Sequence, residues 1–577
     1  MFFLLVLQER FKRQRTKRTT DVTSFGGVMM LENNKPAPSA LNYQLLIKHL
    51  LRFPLNFWAE REIVYRDKCR YTYAVFAKRI AKLANVLMQM GVKAGDRVAM
   101  MDWDSHRYLE AYFAVPMMGA ILHTVNIRLS PDHLIYTINH AQDKLILVHT
   151  DFLPLLEGIK NQIGQEKQMI VINDDAADPK TDWSSAGEYE HLIQKASDSF
   201  SYPDFDENTL ATLFYTTGTT GRPKGVYFSH RQLVLHTMAL TMVLSGHSSQ
   251  FIVNSDDVYM PLTPMFHVHA WGLPYMMTSI GAKQVYPGKY EPERLLHLFG
   301  AEKVTFSHCV PTMLHLLLNS PGIETANIKG WKMIIGGSAL APGLCKDAMS
   351  RGINLISGYG LSETGPLMTL ATFKPDLLNS SDEEQVGYRC RTGVPTPLVE
   401  VEIADPLGNP LPHDGVSVGE VIVRSPWLTK GYYRETELSE TLWKDGWLHT
   451  GDIGFFTSDG YLQLTDRIKD VIKTGGEWLS SLELEDIITQ HEAVSEAAII
   501  GVPDEKWGER PIALVVLKQE YRGKVDENDL KAFFAQFARE GRIAQYAIPQ
   551  KVVLVDAISK TSVGKINKKN IRNQMGI

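Results

Sequence analysis

Long apolar runs are missing from this chain of 577 residues. A helix needs about 18–20 consecutive apolar residues to cross the hydrocarbon core of a bilayer, and no run in the sequence is that long. We therefore expect no transmembrane segment, while peripheral contact with a membrane surface stays open.

Cysteine is also scarce. The four cysteines lie far apart, so the sequence contains no CxxC motif for a metal or a redox reaction. Isolated cysteines of this kind are typical of buried free thiols in a reducing compartment, and we expect a cytoplasmic protein. The residues are Cys69, Cys309, Cys345 and Cys390.

Neither sign of charge is in marked excess. The chain has 60 Lys and Arg residues against 65 Asp and Glu residues, for a formal net charge of -5. This balance argues against nucleic acid as a partner, and phosphates on a substrate would have to be bound by local charge. With 44% hydrophobic and 22% charged residues, the composition is that of a globular protein, and its length predicts two or more domains.

The N-terminus has an unusual order of apolar and basic residues. An apolar run at 1–7 precedes a basic stretch at 9–18, whereas a secretory signal has its positive charge first and a longer apolar core. We expect residues 1–28 to be a disordered extension, and Met29 or Met30 is an alternative start. A weak membrane-surface anchor is the other interpretation.

Helix and strand patterns alternate along most of the chain. Thr72 is placed to cap a helix that ends at Gly91. The apolar face of this helix recurs at three- and four-residue steps, through Phe76, Ile80, Leu83, Leu87 and Met90. Buried-strand patterns follow at 96–100, 145–148, 169–172, 304–306 and 333–335. This alternation predicts an α/β fold with a largely parallel sheet.

The pattern changes in the last third of the chain. From about Val399, short strand patterns are separated by Gly/Asp turns at 405–409 and 458–460, which predicts a β-rich lobe. After residues 466–470, the sequence pattern predicts elements in the order helix, strand, strand, helix, strand. We place a domain boundary at Lys469.

A Thr- and Gly-rich segment at 215–225, YTTGTTGRPKG, follows an apolar strand pattern at 210–214. Its glycines let backbone amides approach an anion, its hydroxyls can donate to phosphate oxygens, and Arg222 and Lys224 add positive charge. It is not a Walker loop, because Gly225 follows Lys224 and a helix begins only after Ser229. The segment predicts a phosphate-binding loop, and a flexible polar surface loop is the alternative.

This segment resembles the signature of the adenylate-forming superfamily, which includes acyl-CoA synthetases, adenylation domains of peptide synthetases and firefly luciferase. The resemblance runs from about Phe57 to Lys569. It implies an α/β fold, with a large multi-sheet N-terminal AMP-binding domain at 29–468, a β-rich lobe at about 399–468, and a small mobile α+β domain at 469–577. It also implies that ATP and a carboxylic acid form an acyl-adenylate and pyrophosphate, and that CoA then takes the acyl group.

The same resemblance implies the residues that bind ATP, AMP and Mg²⁺. Thr216 and Glu363 would hold Mg²⁺, which takes few protein oxygens and several from phosphate. Tyr359 would stack on adenine, and Gly336–Ser338 would form the wall beside it. The nucleotide-binding residues of this part are Thr216, Thr217, Gly218, Thr219, Thr220, Gly221, Lys224, Gly336, Gly337, Ser338, Gly358, Tyr359, Gly360 and Thr364.

Further residues implied by the resemblance lie toward the C-terminus. Asp452 would accept the ribose hydroxyls, and Arg467 would hold ribose or the α-phosphate. Lys469 matches the hinge, although a solvated charged linker is the alternative for Arg467 and Lys469. Lys565 matches the catalytic lysine, whose charge would offset the repulsion between a carboxylate and a polyphosphate. Gly475 and Gly476 match the loop on the CoA side, and Trp478 matches a residue near the nucleotide phosphates.

The segment at 264–274, PMFHVHAWGLP, bears on the acid. His267 matches the aromatic residue beside the reacting carboxylate and counts as catalytic. Trp271 matches the gating tryptophan of long-chain fatty acyl-CoA synthetases, while the start of an apolar helix with a packed Trp is the alternative. The resemblance therefore implies a medium- or long-chain fatty acid–CoA ligase, with homodimers expected.

Other functions stay open at this point. The acid could be an aryl or short-chain acid, or the acyl group could pass to a carrier protein. A nucleotide-binding protein that has lost catalysis and a luciferase-like oxygenase are the alternatives from other classes.

Overall fold

A computed structural model describes residues 37, 39–164, 167–175, 181, 183, 185–216, 222–246, 251–474, 477–561 and 566–577, and at 185, 186, 477 and 478 it describes the backbone alone. The chain forms two compact units, Met1–Tyr43 and Gln44–Ile577. The first unit contains a turn in which the Ala40 amide donates to the Ala37 carbonyl. The predicted extension at 1–28 lies outside the described residues.

The second unit begins with helices that cover the first strands. The N-cap prediction for Thr72 is confirmed, because its hydroxyl accepts a hydrogen bond from the Val75 amide at 3.4 Å. Gly91 follows this helix with φ of 79°, a left-handed conformation that suits glycine. The elements are a 3₁₀ turn (Ile47–Leu51), α1 (Arg52–Phe57), β1 (Glu62–Tyr65), β2 (Cys69–Thr72) and α2 (Tyr73–Gln89).

Seven strands of the described residues form the next sheet. Its strands are β3 (Arg97–Met101), β4 (Ile121–Thr124), β5 (Asp143–His149), β6 (Gln168–Ile172), β7 (Ser185–Glu188), β8 (Leu210–Thr216) and β9 (Lys224–Ser229). The order is β7-β6-β5-β3-β4-β8-β9, and every pair is parallel except β8 with β9. The strands predicted at 96–100, 145–148 and 169–172 are thus confirmed. Helices α3 (His106–Met117), α4 (Pro131–Ala141), α5 (Leu153–Ile163) and α6 (Tyr189–Lys195) connect them, with a 3₁₀ turn at Thr150–Phe152.

A second sheet follows, with nine strands among the described residues. Its later strands are β10 (Val258–Tyr259), β11 (Lys283–Tyr286), β12 (Phe306–Cys309), β13 (Lys332–Ile335), β14 (Asn354–Gly360), β15 (Leu367–Leu370) and β16 (Val394–Pro395). The order is β16-β15-β14-β13-β12-β10-β11-β1-β2. The central pairs are parallel, so the predicted largely parallel α/β architecture is confirmed.

Helices and 3₁₀ turns connect the strands of this second sheet. The helices are α7 (His230–Ser245), α8 (Leu273–Ser279), α9 (Pro292–Glu302), α10 (Pro311–Leu318), α11 (Pro342–Ser350) and α12 (Asp382–Arg389). The 3₁₀ turns are Ser362–Thr364 and Pro375–Asn379.

The strand predicted at 304–306 was wrong in its bounds. The strand runs from Phe306 to Cys309, and Ser307 and His308 are fully buried in it. Because polar residues interrupt the apolar pattern there, periodicity ended the strand too early.

An apolar layer lies between the second sheet and helices α7 and α8. We call this cluster the acyl layer, after the kind of substrate that the resemblance implies. Met276 and Met277 of α8 belong to it, and Trp271 packs against it. Helix α7 contributes Leu240, Val243 and Leu244, and the strands contribute Phe306, Ile334 and Ile356.

The β-rich lobe is a separate five-stranded sheet of described residues. Its elements are β17 (Glu400–Ala404), β18 (Gly419–Arg424), α13 (Thr436–Leu442), β19 (Trp443–Lys444), β20 (Trp447–Phe456) and β21 (Leu462–Arg467). The predicted turns are present, with the Gly408 amide bonding to Asp405 and the Gly460 amide bonding to Thr457.

The final part of the chain forms its own sheet around α14 and α15. Its elements are β22 (Ile472–Thr474), β23 (Glu477–Leu479), α14 (Ser481–Thr489), β24 (Val494–Asp504), β25 (Gly508–Leu517), a 3₁₀ turn (Gln519–Tyr521), α15 (Glu527–Arg539), a 3₁₀ turn (Gln545–Ala547), β26 (Lys551–Leu554) and α16 (Lys568–Gln574). The predicted order of helix, strand, strand, helix, strand matches α14 to β26. It was wrong in omitting β22, β23 and α16, which are too short for a clear periodic pattern. Lys469 lies between β21 of the lobe and β22 of this sheet.

The N-terminus of α7 allows a direct test of this local structure. The Ser229 hydroxyl accepts from the Gln232 amide, and the Gln232 side chain accepts from the Ser229 amide. We expect Ser229→Ala to destabilise the protein by about 1 kcal/mol, because one orphan amide of the helix loses its partner. A lower midpoint of thermal unfolding checks this. Ser229→Thr keeps the cap and is the control, and equal midpoints for the Ala variant and the wild type would contradict the assignment.

Candidate active site

The Thr- and Gly-rich segment at 215–225 begins and ends in two paired strands of a β-hairpin. In β8 and β9, Thr216 pairs with Lys224 and Tyr215 pairs with Gly225. The prediction of a loop over 215–225 was therefore wrong at both ends, because these residues extend the paired strands. The expected strand at 226–228 and the helix start after Ser229 are confirmed. Thr217, Gly218, Thr219, Thr220 and Gly221 lie outside the described residues.

Backbone packing explains the glycine at the base of this hairpin. A Cβ atom at position 225 would lie 3.1 Å from both Tyr215 Cε1 and Tyr433 Cβ. A larger residue would push Tyr433 away, and Tyr433 also donates its amide to the Gly225 carbonyl. The hairpin is thus joined to the segment that carries Tyr432.

Tyr432 connects the hairpin to the predicted metal ligand. The Lys224 ammonium lies 4.8 Å from the centre of the Tyr432 ring. The Tyr432 hydroxyl donates to Glu363 Oε1 at 2.8 Å, and the Thr429 amide donates to the Glu363 carbonyl at 3.0 Å. One tyrosine is thereby in contact with both a cation and a carboxylate. Sequence reasoning missed Tyr432, because a tyrosine beside a turn has no distinguishing signal.

The donor set near Glu363 fits Mg²⁺ bound chiefly through phosphate. No cluster of three or more His, Cys, Asp or Glu side chains able to hold a metal occurs in the described part of the chain. Mg²⁺ at a nucleotide site commonly uses one or two protein oxygens and takes the rest from phosphate and water. One carboxylate, with the Thr216 hydroxyl on the neighbouring hairpin, satisfies that requirement.

A second group of predicted residues meets at Asp452. The Tyr359 hydroxyl donates to Asp452 Oδ2 at 2.6 Å, and Arg467 Nε donates to Oδ1 at 3.2 Å. Burial and the Asp452 charge hold the pKa of Tyr359 well above its usual range, so the phenol stays a donor. Asp452 is almost completely buried, and each of its oxygens keeps a further lone pair. Residues far apart in sequence therefore form one polar group.

Gly336 and Trp271 are in direct contact beside this group. A Cβ atom at position 336 would lie 2.9 Å from the Gly358 carbonyl oxygen and 3.1 Å from Trp271 Cη2. The indole thus packs against backbone that only glycine leaves accessible. Gly337 and Ser338 follow on the same turn after β13, and Gly360 and Thr364 follow Tyr359.

The segment from Val268 to Trp271 is a left-handed turn. Its φ values are 47°, 56°, 47° and 59°, and Gly272 continues at 76°. Left-handed backbone costs about 1–2 kcal/mol per non-glycine residue, so the surroundings must hold it. The alternative of an apolar helix start is therefore wrong for the backbone over these residues, because α8 begins only at Leu273. Its packed Trp is present, since Trp271 packs against the acyl layer. Sequence signals could not show this, because none of the four residues favours positive φ.

Packing of the surrounding aromatic rings stabilises the turn at 268–271. His269 is fully buried, with ring centres of Phe214 at 5.4 Å and Tyr112 at 5.9 Å. Burial lowers the pKa of His269 to about 3, so the ring is neutral. Trp271 rests against His308, with ring centres 4.9 Å apart.

Asp104 holds the residues just before His267. Its carboxylate accepts hydrogen bonds from the Met265 amide at 2.9 Å and from the Tyr290 hydroxyl. Thr124 donates its hydroxyl to the Phe266 carbonyl at 3.0 Å. Burial raises the pKa of Asp104 to about 7. The backbone next to His267 is thus anchored to the first sheet through side chains that no motif had indicated.

The segment around Lys469 is in contact with the last helix. Lys568 of α16 pairs with Glu485 at 2.7 Å and bonds to the Ser481 hydroxyl, while the Ser481 amide donates to Asp466. Arg572 of the same helix pairs with Asp470 at 2.9 Å. Contacts of α16 thus lie just after Lys469, and Ser481 joins them to Asp466 just before it. Burial lowers the pKa of Lys469, and the charge of Arg467 lowers it further.

Three predicted positions in this region cannot be placed. Gly475, Gly476 and Lys565 lie outside the described residues. The backbone of Trp478 is in β23, but its side chain is also outside them. The described part of the site thus contains the nucleotide-side groups, His267 and Trp271.

Comparison with known proteins identifies relatives along nearly the whole chain. The chain is 40% identical over 541 residues to a long-chain-fatty-acid–CoA ligase from Thermus thermophilus, covering 90% of this chain and 95% of the relative. It is 37% identical over 538 residues to a 3-methylmercaptopropionyl-CoA ligase from Ruegeria lacuscaerulensis, covering 92% and 97%. The crystal structure of ATP-bound MatB from Rhodopseudomonas palustris matches with a TM-score of 0.78 at 26% identity, covering 92% of this chain and 99% of that one.

Asp104 provides a test of how the site is positioned. We expect Asp104→Ala to lower kcat/KM for the acid about tenfold, because the Met265 amide loses its acceptor and His267 loses its fixed position. The KM for ATP should change little. Pyrophosphate release with varied acid and varied ATP measures both.

Asp104→Asn is the matched control for this experiment. Its amide oxygen can still accept from the Met265 amide, and its amino group can donate to the Tyr290 oxygen. We expect activity near that of the wild type. Equal losses in the Ala and Asn variants would show that the charge matters and would overturn the positioning role.

The family matches cover both ends of this site. Residues 55–433 match the AMP-binding enzyme family, and residues 483–565 match its C-terminal domain. With the solved relative, they confirm the predicted fold, a large multi-sheet α/β N-terminal domain and a small C-terminal domain. They also confirm the resemblance to adenylate-forming enzymes. The chain belongs to the AMP-binding enzyme family and is an AMP-forming acid–CoA ligase.

Proposed function

We propose that this ligase activates a medium- or long-chain fatty acid, with ATP and CoA as co-substrates. The observation that carries the proposal is the position of Trp271, which lies between the Gly336 backbone at the nucleotide side and the acyl layer. In this proposal, an acid whose carboxylate lies near His267 extends past Trp271 into this layer. Each buried CH₂ group would contribute about 0.8 kcal/mol to binding.

Entry of a chain requires movement in this region, since side chains fill the acyl layer. Trp271 is the first to move in our proposal. Met276 and Met277 are unbranched and can adopt other rotamers at low cost. The neutral rings of His269 and His308 leave no charge to oppose an apolar chain, since burial lowers the pKa of each to about 3.

The nucleotide-side roles are part of the same proposal. Thr216 and Glu363 would hold Mg²⁺, which supplies charge neutralisation on the phosphates when bound. Asp452 would take the ribose hydroxyls, and Tyr359 would lie against adenine. Lys224 and the hairpin tip would bind the β- and γ-phosphates. The support is the Lys224–Tyr432–Glu363 contact chain and the Tyr359–Asp452–Arg467 group.

The domain boundaries and the second half-reaction also belong to the proposal. We assign 29–468 to the N-terminal domain and 469–577 to a mobile domain that carries Lys565. Lys565 would offset the charge repulsion during adenylation. Rotation about Lys469 would then bring Gly475 and Gly476 toward CoA. The support is the change of sheet at Lys469, with α16 paired to Asp470 and Glu485 just after it.

Membrane association, location and oligomeric state are the remaining expectations. No helix of the described residues is long and apolar enough to cross a membrane. The cytoplasmic location and the homodimer expected from the sequence stay predictions.

An acid panel tests the substrate proposal. We expect pyrophosphate release with ATP and acyl-CoA formation with CoA to be greatest for acids between hexanoate and oleate, because longer chains bury more apolar surface. Acetate, benzoate and 3-methylmercaptopropionate are the controls for the rival substrate classes. A maximum for any of these short or aryl acids would contradict the fatty-acid proposal and leave the ligase assignment intact.

Lys469 tests the proposed rotation. We expect Lys469→Pro to stop thioester formation while leaving pyrophosphate release largely intact, because proline restricts φ at the hinge. Lys469→Ala removes the ammonium and keeps the backbone free, so it should retain both half-reactions. Loss of thioester formation in both variants would assign the effect to the charge and overturn the hinge role.

A further inference from the structure

A small cavity lies at the end of the acyl layer away from Trp271. Val243, Leu244, Phe251 and Ile356 of the layer line it. The rest of the lining is Asn354, Thr372, Phe373 and Arg389. Its free volume is about that of one water molecule. An apolar layer thus ends at an arginine that is only 4% exposed.

The Arg389 guanidinium is only partly satisfied. Nη1 donates to Asn354 Oδ1 at 2.8 Å and to the Leu355 carbonyl at 2.7 Å, and Nη2 donates to Gln385 Oε1 at 3.3 Å. Nε has no hydrogen-bond acceptor among the residues that the structure describes. Within the same residues, no carboxylate forms an ion pair with Arg389. A buried positive charge with a spare donor favours an oxygen acceptor in the cavity.

Aromatic rings connect this cavity to Trp271. Trp271 contacts His308, His308 contacts Tyr259, and Tyr259 contacts Phe306, with ring centres 4.9, 5.8 and 5.8 Å apart. Phe306 is 6.3 Å from Phe251, which lines the cavity. A continuous series of ring contacts therefore runs from Trp271 to the cavity that Arg389 lines.

We propose that the Arg389 cavity binds the far end of the acyl chain, and that it selects acids with an oxygen at that end, ω-hydroxy or ω-carboxy fatty acids. This inference rests on the proposed function, because it places the substrate chain in the acyl layer. A terminal hydroxyl or carboxylate accepts from Nε. A terminal methyl group of the same chain leaves the Nε donor unsatisfied.

The terminal group therefore changes activity only for chains that reach the cavity. A hydrogen bond to a charged group, or its loss on burial, corresponds to about a tenfold change in affinity or more. Shorter acids end inside the acyl layer, where an added oxygen is unfavourable. The enzyme should thus prefer methyl-terminated acids at short lengths and ω-oxygenated acids at the length that reaches the cavity.

The wild-type enzyme tests this reversal without any substitution. We would measure kcat/KM for pyrophosphate release with fatty acids, ω-hydroxy acids and α,ω-dicarboxylic acids from hexanoate to stearate length. We expect the oxygenated acids to be poorer at short lengths and about tenfold better at the length that reaches Arg389. If methyl-terminated acids are equal or better at every length, this inference fails and the fatty-acid proposal stands. Absence of activity with every acid of the panel overturns both this inference and the fatty-acid proposal.

Two variants assign the reversal to the cavity. Arg389→Met removes the donor and should abolish the preference for oxygenated acids, with hexanoate activity unchanged. Arg391→Met is the matched control, because Arg391 pairs with Asp459 outside the cavity and should keep the preference. A preference that survives in Arg389→Met overturns the proposal.

Val243→Phe tests the same cavity without changing Arg389. Arg389 also supports Asn354 and Leu355, so its removal could prevent folding. The larger ring at position 243 fills the cavity, and we expect it to lower activity at least tenfold for the oxygenated acid that reaches it. Acids too short to reach the cavity should lose less activity than acids that reach it. An unaltered chain-length profile in this variant would contradict a chain end bound there.

Discussion

The left-handed turn at 268–271 is the constraint on which the candidate site depends. Four residues that disfavour positive φ adopt it in sequence, so the cost must be offset by burial around them. His269 fills a cage of aromatic rings, and Trp271 reaches the Gly336 backbone as a result. An ordinary right-handed helix over these residues would point the indole elsewhere. The turn thus sets the contact between the nucleotide side and the acyl layer.

Asp104 and its neighbours connect this turn to the rest of the fold. Asp104 follows β3 of the first sheet, and it bonds to a segment that leads out of the second sheet. Tyr112 and Thr124 add hydrogen bonds to the carbonyls of Met265 and Phe266. Residues of both sheets therefore position the same short segment. The Met265 amide and the Met265 and Phe266 carbonyls find hydrogen-bond partners where water is excluded. A rigid frame of this kind suits a site that must hold a carboxylate in one orientation.

Polar residues of the nucleotide side are likewise joined across long distances in the chain. Tyr359 and Asp452 are 93 residues apart, and Tyr432 and Glu363 are 69 apart. Each pair joins the second sheet to the β-rich lobe or to the segment leading into it. The Asp466–Ser481–Lys568 contacts continue this pattern into the last sheet. Local sequence patterns could identify the motif residues, but not Tyr432, Asp104 or Ser481, whose roles arise from their neighbours.

Resemblance to adenylate-forming enzymes indicated motif positions such as Glu363 and Asp452. By itself the sequence determined the alternation of helices and strands and the Thr72 and Ser229 helix starts. These depend on periodicity, capping and short-range spacing, which are local properties. Tertiary structure alone decided that 215 and 225 pair within a hairpin, that 268–271 turn left-handed, and that Arg389 closes the acyl layer. These features depend on packing between distant segments, where burial outweighs the intrinsic preference of each residue.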